Sequence, residues 1–261
     1  MNKLTVGVAL GSGGAKGFAH IGVLKALREC SIPVDVVAGT SMGSLVGAFY
    51  ATGMDPPFME RLAYTLRWRH WVDVTVPRVG LIAGEKLHEM VKLLTRSLDI
   101  SQSPLPYAAV ATELVSKRTH TFTSGLFADA VRASTAIPGV FVPFTMGNYI
   151  FVDGGVMEPV PVLAARQLGA QRVIGVDVSS TGRGEPPTNI MEVILHSLAI
   201  MQEHVRVEHQ PDIMIVPNLT EVGTSQFHKA REAVAAGYQA TMEHMDEIRL
   251  LVKDDVLDEM G

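Results

Sequence analysis

VDVVAGTSMGSLVGAFY, residues 34–50, opens on an apolar β-branched run, turns through Gly39-Thr40-Ser41-Met42-Gly43, and leaves on small residues of helical character. A Gly-x-Ser-x-Gly element between a strand and a helix predicts a nucleophile elbow. Such a turn strains the serine backbone, and the glycines two before and two after must lack side chains so that strand and helix can cross closely. Ser41 would then stand exposed, at the positive end of a helix. The same five residues also suit a plain glycine-punctuated turn, so the motif needs support from the rest of the chain.

Outside the elbow, short runs of Val, Ile and Ala recur at 4–10, 33–38, 107–112, 172–178 and 212–216. Helical patterns separate most of them, at 17–29, 44–52, 84–98, 161–168, 190–208 and 225–251. Strands without polar alternation, spaced by helices, predict a three-layer α/β/α fold around a mostly parallel sheet. Residues 118–124 (RTHTFTS) alternate with period two and predict an antiparallel partner for the strand before them. The stretch 54–80 carries Pro56, Pro57, Trp68, Trp71 and Pro77 without a strand signal. We therefore expect one domain over 1–261, with a lid or side insertion around 54–100 and a helical part around 190–261. Within the insertion, Leu66 to Trp71 mixes aromatic and cationic residues, as membrane interfaces do, although two tryptophans anchoring an irregular loop to the core explain it better.

Composition narrows the function classes. The chain has 261 residues, 47% of them apolar, and a formal net charge of −5 without a basic block. Nothing marks a nucleic-acid footprint. The single cysteine, Cys30, cannot form an internal disulfide and suits a buried or half-buried thiol in a reducing cytoplasm. Residues 1–10 read as a first core strand rather than a leader, and no apolar run reaches the ~20 residues of a membrane span. A lipid substrate would be met from the aqueous side.

Directly after the first strand stands Gly11-Ser12-Gly13-Gly14-Ala15-Lys16-Gly17. Glycine-rich loops that open a helix offer backbone N–H groups to anionic oxygen. The spacing spoils a dinucleotide fingerprint, since the last required glycine falls on Lys16, and Ala15-Lys16-Gly17 spoils a P-loop. Beside an elbow serine the loop makes better sense as an oxyanion hole. The N–H groups of Gly13 and Gly14 would stabilise developing charge, each such donor contributing about 3 kcal/mol. Lys16 could add positive charge, or simply be solvated.

Serine needs a base. Of the later histidines, His196, His204, His209, His228 and His244 sit in helical stretches with polar neighbours, and His20 precedes the serine, where packing suits it. Asp153, ending the apolar run 149–152 and followed by Gly154-Gly155, is the better candidate, because sites in open α/β sheets form at strand ends.

In order, Ser12-Gly13-Gly14-Ala15-Lys16-Gly17, Gly39-Thr40-Ser41-Met42-Gly43 and Asp153-Gly154-Gly155 resemble the motifs of the patatin-like phospholipase family, especially its small bacterial members. The segment 132–138 (RASTAIP) resembles the family's Ala-Ser-x-x-x-Pro, and 80–84 (GLIAG) its Gly-Leu-x-x-Gly. Ser12 and Lys16 depart from the loop pattern, in place of a glycine and of an arginine found in some members. The resemblance implies a serine–aspartate dyad without histidine, metal or cofactor. Ser41 would be the nucleophile, Asp153 the base, and Gly13, Gly14 and Lys16 the oxyanion region. The implied activity is hydrolysis of lipid acyl esters, of phospholipase A or lysophospholipase type. A regulatory adaptor with little turnover, and an acyl transferase or thioesterase, stay open on the same fold. So do a homo-oligomer and peripheral contact with a membrane surface.

Overall fold

The computed structural model describes residues 4–65, 72–73, 80–179, 186–187, 190–203 and 209–253. The segment 66–71 and His204 lie outside them.

The first strand, β1 (Val6–Leu10), is wholly buried and pairs in parallel with β2 (Val36–Thr40) on one side and β7 (Arg172–Val176) on the other. Beyond β7 lies β8 (Ile213–Ile215), and beyond β2 lies β3 (Tyr107–Glu113), both parallel. These five are the strands that the unbroken apolar runs predict. The period-two stretch forms β4 (Arg118–Phe122), antiparallel to β3. Two further antiparallel strands, β5 (Phe144–Met146) and β6 (Tyr149–Asp153), complete the sheet, β6 pairing with β3.

The register on β3 fixes the geometry of everything that follows. β4 pairs along Ala109–Glu113, overlapping the β2 partners 109–110 and the β6 partners 111–113. A strand has only two edges, so β2 and β6 share the other one, end to end. They run toward each other, Thr40 opposite Val110 and Asp153 opposite Ala111. Residue 41 and residue 153 therefore meet beside adjacent residues of β3.

Helices cover both faces, giving the three layers expected. One face carries α1 (Ala19–Glu29), α2 (Met42–Ala51), α5 (Phe127–Ser134) and α8 (Ala230–Glu243), closing a core that includes Leu10, Leu24, Tyr107, Phe127 and Ile248. The other face is covered by α6 (Val162–Gln167) over Ala9, Val36, Ala38, Ala108 and Val110. Among the described residues, no helix is long and apolar enough to cross a membrane.

Several boundaries differ from the sequence reading, each for a local reason. A helix, α3 (Pro56–Thr65), occupies the start of the stretch expected to be irregular, and it packs on α1 and α8. Its prolines fall in the first turn, where the missing N–H costs nothing. The helix expected over 84–98 is α4 (Glu85–Leu94), stopped by Arg96 and Ser97 in left-handed conformation. The one expected over 225–251 divides at His244 into α8 and α9 (Met245–Leu251). In the 190–208 stretch the described helix is α7 (Ile190–Glu203). Cys30 caps the end of α1, half-buried as expected.

Candidate active site

Ser41 lies between β2 and α2, buried rather than exposed as expected, because Ser134 of α5 and Asp153 of β6 close against it. Its φ 54 and ψ −121 lie in a region that side-chain-bearing residues enter only under strain of ~1–3 kcal/mol. What permits it is the crossing of strand and helix. A Cβ on Gly39 would lie 2.4 Å from the Gly43 carbonyl oxygen, and one on Gly43 would lie 2.1 Å from that of Leu10. The turn is then pinned. The Ser41 N–H donates to Ser134 Oγ at 2.9 Å, and that hydroxyl donates onward to the Val110 carbonyl at 2.6 Å. The Ser41 carbonyl accepts from the Ser44 N–H and hydroxyl at 2.9 and 2.7 Å.

The head-to-head approach of β2 and β6 brings the two polar groups together. Ser41 Oγ donates to Asp153 Oδ2 at 2.5 Å, and Asp153 Oδ1 accepts from the Gly155 N–H at 2.8 Å. Burial raises the Asp153 carboxyl to about 6, against the opposing pull of those two hydrogen bonds. A carboxylate so placed is a far better proton acceptor than an exposed one, yet still ionised at neutral pH. Among the described residues no histidine bonds Ser41.

The glycine loop presents its amides to the same spot. The N–H groups of Gly11, Ser12, Ala15 and Lys16 donate to backbone carbonyls of Val176, Pro159, Thr224 and Gly13, whereas those of Gly13 and Gly14 have no acceptor among the described residues. Gly14 adopts φ +54 with its would-be Cβ 2.5 Å from the Thr224 carbonyl oxygen, so no other residue fits there. Gly13, Gly14, Ser41 and Asp153 line one cleft. An adjoining cavity of about 320 Å³ reaches away from Ser41 between Met42, Leu45, Leu87, Val140, Phe141 and Phe227. A predominantly apolar lining that includes Ser41 suits an acyl ester.

Of the residues singled out in the sequence, Ser41, Asp153, Gly13 and Gly14 converge, and Gly39, Gly43, Gly154 and Gly155 shape the backbone around them. Lys16 lines neither cavity. It is buried in the 3-10 turn Gly14–Phe18, which overturns the solvated alternative. His20 is likewise buried, its ring lowered by burial to about 4 and hence neutral, with Nε2–H donating to the Gly11 carbonyl at 2.8 Å. It packs as expected and also holds the glycine loop. The sequence reading missed the tasks of Ser134 and Arg132. Arg132 Nη2 donates to the Ala83 and Val142 carbonyls, both at 2.6 Å, tying the segment before α4 to the loop after α5. The signal was present in RASTAIP, but its purpose depends on contacts distant in the chain.

The family model of the patatin-like phospholipases matches residues 8–166. With this elbow and glycine loop on a three-layer α/β/α sheet, the chain belongs to the patatin-like phospholipase family. An uncharacterized NTE family protein of Mycobacterium tuberculosis is 37% identical over 182 residues, 69% of this chain and 50% of that protein. A lysophospholipase NTE1 of Pyricularia oryzae is 28% identical over 281 residues, 94% of this chain and 19% of the fungal protein. The chain thus spans about half the length of the mycobacterial relative and a smaller share of the fungal one. Among solved structures, VipD from Legionella pneumophila superposes with a TM-score of 0.69 at 15% identity, covering 95% of this chain and 67% of VipD. The type III effector ExoU superposes at 0.52, also at 15% identity, covering 95% of this chain and 54% of ExoU. Both likenesses concern the fold.

Proposed function

We propose that the protein is a serine hydrolase of lipid acyl esters, of phospholipase A or lysophospholipase type, working through a Ser41–Asp153 dyad. The observation that carries this reading is the 2.5 Å hydrogen bond from Ser41 Oγ to a buried Asp153, on a strained elbow beside the unengaged amides of Gly13 and Gly14. Ser41 Oγ attacks the ester carbonyl as Asp153 takes its proton, and the carbonyl oxygen gathers negative charge against the Gly13 and Gly14 N–H groups. Asp153 returns the proton to the departing alcohol. A water molecule, deprotonated by Asp153, then attacks the acyl carbonyl, and Asp153 returns that proton to Ser41 Oγ as its bond to the fatty acid breaks. The apolar cavity holds acyl chain, and the family membership and the printed name of the Pyricularia relative agree with a lipid substrate.

Fluorophosphonate labelling tests this directly: the modified peptide should contain Ser41. Release of fatty acid from lysophosphatidylcholine should vanish in Ser41→Ala and Asp153→Asn. Equal rates in all three proteins would reject the dyad.

A further inference from the structure

The helix α7 is apolar on both faces. Its sequence, IMEVILHSLAIMQE, holds nine apolar residues in fourteen and neither Lys nor Arg. Its inner face borders the catalytic cavities through Glu192, Leu195, Leu198, Ala199 and Gln202. Gln202 reaches the glycine loop, where the Ser12 hydroxyl donates to its Oε1 at 3.2 Å, and its Nε2 lies 2.4 Å from where a Cβ of Gly155 would stand. The outer face carries Ile190, Val193, Ile200 and Met201, spaced to form one stripe and 70, 48, 57 and 60% exposed. Four large apolar side chains exposed together, with Ser197 as the polar residue among them, make a patch that marks an interaction surface.

Resting on the hydrolase reading, we propose that this outer face docks on an electrically neutral lipid surface, phosphatidylcholine-like, and that docking brings the mouth of the Ser41 cavity against the substrate phase. Three observations favour this occupant. The stripe and the cavity lining belong to the same helix, so docking on the stripe places a wall of the Ser41 cavity at the substrate phase. The helix has Glu192 and Glu203 but no cation, and the chain carries net charge −5, so attraction to anionic headgroups has no source there. A second copy of the chain would need ~800 Å² per partner. At roughly 60–120 Å² per aliphatic side chain, the area implied by 1.5–3 kcal/mol at 25 cal/mol per Å², the stripe offers only a few hundred. With a length of about 21 Å, α7 would lie in the interface plane rather than span it.

The test is flotation of the full chain bearing Ser41→Ala, so that no lipid is consumed, with phosphatidylcholine vesicles at low and high salt. Binding should persist at high salt, and Val193→Gln with Ile200→Gln should weaken it at least tenfold. In the Ser41-intact chain the same pair should leave hydrolysis of p-nitrophenyl butyrate unchanged. No flotation, equal flotation of the double variant, or binding confined to anionic vesicles and lost in salt would overturn the proposal. So would a dimer, seen by sedimentation, that the double variant abolishes while flotation is absent. If the double variant fails to fold, a nitrobenzoxadiazole label at Ile200→Cys in a Cys30→Ala background gives the second readout. A blue shift on adding vesicles supports docking, and its absence overturns it. Vesicle binding in a chain that hydrolyses no ester would leave docking standing and remove the hydrolase reading instead.

Discussion

The elbow at Ser41 and the helix α7 face each other across the same cleft and are held by opposite means. Ser41 is fixed from β2, α2, α5 and β6 at once, through bonds to Ser134, Ser44 and Asp153, with backbones so close that only glycine fits at 39 and 43. Among the described residues, α7 meets the site through the side-chain hydrogen bond of Ser12 to Gln202 and through aliphatic contacts such as Ile194 beside Gly139. One region is over-determined so that two oxygens sit 2.5 Å apart; the other carries apolar surface on its outside. Chemistry asks for the first arrangement, and contact with a substrate phase asks for the second.

The sharpest break of this contrast is removal of the reacting groups. Ser41→Ala and Asp153→Asn should each lower kcat by on the order of 10⁴-fold with the fold intact, measured by ester hydrolysis beside thermal melting. Next comes the amide pair. Gly14→Ala forces a left-handed residue against the Thr224 carbonyl and should cost roughly 10²-fold in kcat, with KM for a short ester little changed. Ser134→Ala leaves the buried Ser41 N–H without its acceptor, a loss of about 1–3 kcal/mol in stability. It should lower both Tm and kcat.

Asp153 sets a further contrast, between activity and stability. Its folded value of about 6 lies above the unfolded 3.8, so between these values the folded chain binds more protons than the unfolded one. Stability therefore falls as pH rises from about 4 to 6, while the rate, which on the proposed dyad needs Asp153 ionised, climbs with its midpoint at about 6 to a plateau roughly one unit higher. Asp153→Asn should melt higher than the parent at pH 7.5, by the equivalent of about 2–3 kcal/mol, with the gain gone by pH 4. An Asn that melts lower at pH 7.5 would show that Asp153 stabilises the fold. The smallest effect belongs to α7: Val193→Gln with Ile200→Gln should shift stability by within about 0.5 kcal/mol per site.

Much of this was legible in the sequence, and what was not has a common cause. The elbow is read from five consecutive residues because its constraint is local: two glycines where backbones cross. The five apolar strands and the alternating β4 announce themselves by period. Asp153 could be chosen as an isolated candidate, but its meeting with Ser41 depends on β2 and β6 sharing one edge of β3, a register no local pattern reveals. The partnership of Ser134 with Ser41 spans 93 positions, and that of Ser12 with Gln202 spans 190. The helix α3 was hidden for a different reason, because paired prolines read as a break when they stand at a helix start.

The embrace of α1 by α8 bears on where this fold can be cut. A Cβ on Gly22 would lie 2.0 Å from the Val234 carbonyl oxygen, and one on Gly237 would lie 2.0 Å from that of Ala19. The two helices touch main chain to main chain, a contact that asks for glycine at each crossing and little of the residues between. The family model ends at residue 166, before β7, β8 and α8, although the Pyricularia relative aligns over 94% of the chain. A fragment trimmed to residues 8–166 would strip β1 of its β7 partner and bare the edge of a wholly apolar strand, an invitation to aggregate. The span of the family match and the span that can fold are thus drawn along different lines in this chain, and a fragment made for expression should follow the second.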